Sequence, residues 1–209
     1  MMAVRSGRYI AFAAIFAIVG CSDPDAIRTQ DEPSQPKPSV APIPANQKQF
    51  RTLVAMVPVD GAEGGSTWWF FKLSGPIAIV NKYESDFDKL FGTLSSTTDE
   101  KNPITWELPN GWTEEGKQAS STSRYATLKS PGGDAEITVT KFGGSVLANV
   151  QRWWGDLWGN DKAHDFTTAM LSGYVRQENV KGRLVLRVDL SGPNEPPKRG
   201  MMMNPHGGQ

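Results

Sequence analysis

The chain has 209 residues, with 22 Lys and Arg against 22 Asp and Glu and a net charge of zero. With no basic surplus and no basic stripe, the composition excludes nucleic acid as the expected partner. The single cysteine, Cys21, excludes an internal disulfide, and a chain of this length suits one folded domain.

The first 21 residues fall into three zones. Arg5 and Arg8 make a positive start, Tyr9 to Val19 is an apolar run, and Gly20 is a small residue before Cys21. That order predicts a secretory signal peptide over 1–20. The run is 11 residues long, whereas a membrane-spanning helix needs about 20. Ile18-Val19-Gly20-Cys21 resembles the lipobox of bacterial lipoproteins. The resemblance implies that Cys21 is lipidated and becomes the first residue of the mature chain. It implies a membrane partner through that lipid and an extracytoplasmic location, facing the periplasm or on the outer membrane. Two acyl chains hold a protein to a bilayer stably where one does not.

Residues 21–48 carry the lipidated cysteine and a tether. Six of the 27 residues from 22 to 48 are proline and no apolar period is visible, so the segment is extended and reaches on the order of 80 Å when stretched. Residues 193–209 are rich in Pro and Gly and are expected to be disordered. The expected domain is therefore 49–192.

Within it, 50–59 reads as a strand, 60–65 as a Gly-rich turn and 66–75 as a second strand, a hairpin whose apolar residues do not alternate. Such a pair is buried on both faces. Pro76 suits a first helical position, and Ile77, Val80, Tyr83, Phe87, Leu90, Phe91 and Leu94 follow as one apolar stripe. Glu84, Asp86, Asp88 and Lys89 take the other side of this helix, 76–94. Ile104, Trp106 and Leu108 alternate as in a strand before the Pro109-Asn110-Gly111 turn. Residues 124–130 and 135–142 make a hairpin. Ser145 caps a helix with the stripe Val146, Val150, Trp153 and Leu157. A polar stretch with a short helix covers 161–171, and strands over 173–179 and 183–190 close the domain, the latter with Leu184, Leu186, Val188 and Leu190 on its buried side. Hairpins interrupted by two helices predict an α+β fold with an antiparallel sheet.

Few residues suggest chemistry. Nucleophilic catalysis needs an activated nucleophile and a placed base, but no G-x-S-x-G or S-x-x-K occurs. His164-Asp165 is the best fragment of a triad, and neighbouring Asn160, Asp161 and Lys162 mark a solvated loop. Asp86 and Asp88 do not share a helix face, and Asp99-Glu100 fits no calcium loop. Met201, Met202, Met203 and His206 offer soft ligands for Cu(I), but only three methionines and one imidazole in a disordered tail. Gly143-Gly144-Ser145 sits between a strand and a helix as an anion cradle would, without a Walker lysine. No cofactor and no metal site is expected. The tryptophans are the strongest lead: Trp68 and Trp69, and Trp153 and Trp154, are each expected to divide between core and rim. That leaves Trp69, Arg152, Trp154 and Trp158 as the candidate binding surface for an envelope protein or glycan.

Three stretches, "TWWFFKLSGP", "ITWELPNGW…RYATL" and "LANVQRWWG", resemble a group of envelope lipoproteins common in planctomycetes. The resemblance covers roughly 50–192 and brings no activity and no site residue with it. "WELPNGW" opening a run of hairpins is also similar to the start of Mog1/PsbP-like domains, which implies an α/β/α sandwich. Here the strand-strand-helix unit 50–94 precedes that strand, an altered element order. The expected function is a non-enzymatic, lipid-anchored binding or structural module. The alternatives are a hydrolase with a site near His164 and a carbohydrate-binding module using exposed tryptophans.

Overall fold

The structure, a computed structural model, describes residues 49–59, 67–99, 104–116 and 124–197. The signal peptide, Cys21, the tether, the 60–65 turn, Glu100, the methionine cluster and His206 lie outside the described residues.

Strands β1 (Phe50–Pro58) and β2 (Thr67–Pro76) form the expected hairpin at the middle of the fold. Side chains alternate across a strand, and here both sets are apolar. Leu53, Ala55, Val57, Trp69, Phe71 and Leu73 enter one core cluster. Phe50, Val54, Met56, Trp68 and Phe70 enter another on the opposite face. A sheet with two apolar faces needs two covering layers.

Helix α1 (Ile77–Gly92) covers the first face with Val80, Tyr83, Phe87, Leu90 and Phe91. Pro76 occupies the cap rather than the first helical position, with extended backbone at φ −53° and ψ 137°. The Ile77 N–H donates to Gln49 O at 3.0 Å, which ties the helix start to the entry of β1. Thr93 Oγ1 closes the other end on Leu90 O at 2.8 Å. A small ladder of β3 (Ser95–Ser96) and β4 (Ile104–Thr105) follows.

Strands β5 (Thr113–Glu115), β6 (Ala126–Lys129) and β7 (Glu136–Gly143) extend the sheet beyond β2. Helix α2 (Val146–Trp158) covers the second face, helped by a 3₁₀ segment (Asn160–Asp165) and α3 (Thr168–Tyr174). Strands β8 (Val175–Val180) and β9 (Arg183–Gly192) finish the sheet. Its order is β5-β6-β7-β2-β1-β9-β8, and every neighbouring pair is antiparallel. The fold is α+β, with helices packed on both faces of an antiparallel sheet.

The structure departs from the sequence-based expectations at four further places. Regular pairing after Ile104 ends at Thr105, and Leu108 is exposed. The turn expected at Pro109-Asn110-Gly111 is present, and the Trp112 N–H donates to Pro109 O at 3.1 Å across it. Gly111 has φ +78° there, and a Cβ on it would stand 2.9 Å from Pro131. On β9, Leu184 is exposed and Val185 is buried, because both sheet faces are covered and burial does not follow one parity. The 161–171 stretch carries a 3₁₀ segment and a third α-helix, and that helix delays β8 to Val175. Residues 193–197 are placed rather than loose: the Asn194 N–H donates to Leu157 O at 3.0 Å, and Pro196 is buried.

Candidate functional site

A recess of about 160 Å³ opens where α1 meets the β8–β9 edge of the sheet. Glu84 and Asp88, one helical turn apart, form its α1 wall. Arg176 and Glu178 of β8 and Arg187 and Asp189 of β9 form its floor. The strand register explains the grouping: Arg187 pairs with Ala55 and Asp189 with Leu53, so both side chains rise on the α1 face.

Arg51 holds the inner end of this cluster. Its Nε and Nη2 donate to the two oxygens of Asp189 at 2.9 Å each. Its Nη1 and Nη2 donate to Glu84 at 2.7 and 2.9 Å, and Nη1 also reaches Asn81 Oδ1 at 2.7 Å. Such forked pairing is the strong form of guanidinium–carboxylate contact. Arg187 closes the outer end on Asp88 and stands 3.7 Å from Glu84. The hydrogen bonds from Arg51 hold the Glu84 carboxyl below its ordinary range. The hydrogen bond to Asp189 raises the Arg51 guanidinium further above its own. Burial raises the Tyr174 hydroxyl at the recess edge. A carboxylate kept ionised, with both oxygens engaged, is poorly suited to give or take a proton. It does set a fixed pattern of charge.

A second cluster pins the 131–134 turn to α1. Asp134 accepts from Tyr83 Oη at 2.6 Å, from Lys82 Nζ at 2.9 Å and from Ser130 Oγ at 2.9 Å. The hydrogen bond from Tyr83, then that from Lys82, holds the Asp134 carboxyl well below the usual carboxylate range.

Of the tryptophans expected at a rim, Trp69 and Trp154 lie inside. Trp68 and Trp69 divide between the two core clusters, and Trp153 and Trp154 share one of them; all four are buried. The physical reason is the second covering layer: with helices on both faces, opposite sides of a strand are both interior. Trp69 sits edge-on to Tyr125 with centroids 4.9 Å apart. Trp154 stacks on Trp158 at 5.3 Å, and Trp158 is half-buried with Nε1 donating to Ser191 O at 3.0 Å. Arg152 packs over the Phe142 and Trp153 rings and donates to Asn149 Oδ1 at 3.0 Å.

The quoted motifs thus do structural work. Asn149, buried in "LANVQRWWG", donates to Ser145 O at 3.0 Å and locks the turn before α2. Ser145 Oγ accepts the Ala148 N–H at 3.1 Å, the helix cap expected at this residue. In "WELPNGW", Trp112 Nε1 donates to Asp86 Oδ2 at 3.1 Å. That bond lowers the Asp86 carboxyl, while Asp88 turns to Arg187. His164 is exposed on the 3₁₀ segment and does not line the recess. Among the described residues, no three His, Cys, Asp or Glu are grouped to hold a metal ion, and no helix is long and apolar enough to cross a membrane.

The recess was not foreseen. Glu84 and Asp88 read as the charged face of a helix, and nothing in the sequence singled out Arg51. A signal existed: two acids four apart on the flank of the α1 stripe, with Arg187 and Asp189 two apart on a strand. Only the β1–β9 pairing brings them together. In comparisons with known proteins, no family model, no curated relative and no solved structure matches the chain.

Proposed function

We propose that this protein is a lipid-anchored, extracytoplasmic domain that binds a protein or polymer of the cell envelope without turning it over, in the group of envelope lipoproteins its motifs resemble. The observation that carries the proposal is the Ile18-Val19-Gly20-Cys21 ending of an apolar leader, followed by a proline-rich tether. The chemistry of the recess supports it. Its inner carboxylates are held by guanidiniums, an arrangement for recognition by charge. The hydrolase reading loses its support, because His164 stands exposed and apart from the recess. The glycan-module reading needs a row of exposed tryptophan rings, and the described tryptophans are buried or half-buried.

Cys21→Ala tests the anchor. In cells fed a fatty-acid analogue, the natural chain takes up label and fractionates with membranes, and the variant does neither. Equal labelling of both removes the proposal. Cross-linking in intact cells then recovers an envelope component with the natural chain. Conversion of a substrate by the purified protein would overturn the non-enzymatic part alone.

A further inference from the structure

Among the described residues, strand β8 ends the sheet, pairing with β9 on one side and with no strand on the other. Such an edge offers a row of backbone donors and acceptors to any chain that fits. On the α1 face of β8 stand Arg176, opposite Arg187, and Glu178, opposite Val185. Arg187 is matched by Asp88 and Glu84. Among the described residues, neither Arg176 nor Glu178 makes an ion pair or a side-chain hydrogen bond. They are one cation and one anion, two residues apart on the same face.

We propose that β8 pairs antiparallel with β8 of a second copy, centred on Gln177, running the two sheets into one. In that register Arg176 of each copy stands opposite Glu178 of the other, and Gln177 meets its own symmetry mate. It is the one antiparallel register that does so. Shifting the centre by one residue puts Arg176 against Arg176 or Glu178 against Glu178, and a parallel in-register pair sets like on like. Opposite charges across a strand pair stabilise it and like charges oppose it. Edge charges of one sign keep copies apart; an edge carrying one of each admits its own copy in one register. The twofold arrangement is the isologous contact usual for homodimers. A six-residue edge buries less than the ~800 Å² per partner of a standard interface, so the dimer is weak in solution and gains when copies are held close together. The inference stands independently of the lipid anchor.

The test uses the full chain carrying Cys21→Ser and Gln177→Cys, so that residue 177 holds the only thiol. Residues directly opposite in an antiparallel pair have Cα atoms about 4.5–5.5 Å apart, within the ~4.4–6.8 Å a disulfide spans. Under mild oxidation this chain forms a covalent dimer, and an Asn179→Cys chain does so far less. Adding Arg176→Glu or Glu178→Arg alone cuts dimer yield about tenfold, and adding both together restores it. Sedimentation equilibrium of the natural chain shows the same order of association. A monomer at all concentrations up to roughly millimolar, equal cross-linking at 177 and 179, or yields indifferent to the charge changes would each overturn the proposal. So would cross-links formed only to a different envelope protein in intact cells.

Discussion

On its α1 side the sheet is closed by Phe71, Phe87 and Phe91 and then sealed at the rim by charge. Arg51 forks onto Glu84 and Asp189, Arg187 holds Asp88, and Asp134 gathers Tyr83, Lys82 and Ser130. On its α2 side the seal is aromatic. Trp153 sits edge-on to Phe70 at 5.4 Å, and Trp154 contacts Trp158, Phe166 and Tyr174 at 5.3 to 5.7 Å. Polar side chains there, such as Gln151 on Phe166 O and Trp158 on Ser191 O, mostly reach for backbone carbonyls. One helix is therefore sealed at its rim chiefly by carboxylate pairs and the other chiefly by rings. The two faces of one sheet answer differently to pH and salt although both cores are apolar.

The largest expected effect lies on the aromatic side. Trp154→Ala opens a cavity among Trp158, Phe166 and Tyr174 and costs about 3–5 kcal/mol. Urea unfolding gives this cost equally at pH 7 and pH 4. A cost that varied strongly with pH would break the contrast between the faces.

On the charged side, Arg51→Met takes from Glu84 and Asp189 the guanidinium that forks onto both, leaving Glu84 with Arg187 at 3.7 Å. Both acids keep partial exposure, so the cost at pH 7 is about 2 kcal/mol, below that of a fully buried pair. The sign of the pH effect follows from Glu84, whose folded pKa is lowered. Its stabilising contribution is complete above the unfolded carboxyl pKa, about 4.3, and is lost as pH falls through the folded value. The penalty of Arg51→Met therefore shrinks in acid. In the natural protein, amide exchange in α1 accelerates relative to α2 between pH 6 and pH 3, once intrinsic rates are removed. Equal acceleration in the two helices would refute the comparison.

The smallest effect serves as a control outside both faces. Lys181 has φ +51° and Gly182 φ +81°, both left-handed, in the two-residue turn between β8 and β9. Asn suits that first position better than Lys. Lys181→Asn raises stability by about 0.5 kcal/mol at every pH, leaving the exchange contrast between α1 and α2 unchanged.

What could be read in advance depended on how locally each feature is determined. The α1 stripe was legible because a 3.6-residue period leaves its mark on every turn. The unbroken apolar runs of β1 and β2 announced burial on both faces, and the central place of the pair in the sheet accounts for them. The same double burial hid the tryptophans: a strand or helix read alone suggests an outside, and here a further layer covers it. The segment after Ile104 alternates like a strand, yet Pro109 lacks an amide donor and Gly111 needs positive φ, so the turn prevails over the pattern. The recess was the least legible feature. Its charges come from β1, α1, β8 and β9, and no spacing along the chain records a contact between residues 51 and 189.

The register sets Phe50, the first residue of β1, opposite Gly192, the last of β9. The chain thus enters and leaves the sheet at the same end, and this has a mechanical meaning. A pull on residue 49 along the axis of β1, resisted at the far end of the domain, loads the ladders to β2 and β9 in shear, with their hydrogen bonds sharing the force. A pull that separates residue 49 from residue 193 loads the Phe50–Gly192 pair first and opens the β1–β9 ladder one bond at a time. Resistance to forced unfolding is a matter of rate, not of equilibrium stability. The same domain is therefore strong against a load passed through its length and weak against one that parts its two ends.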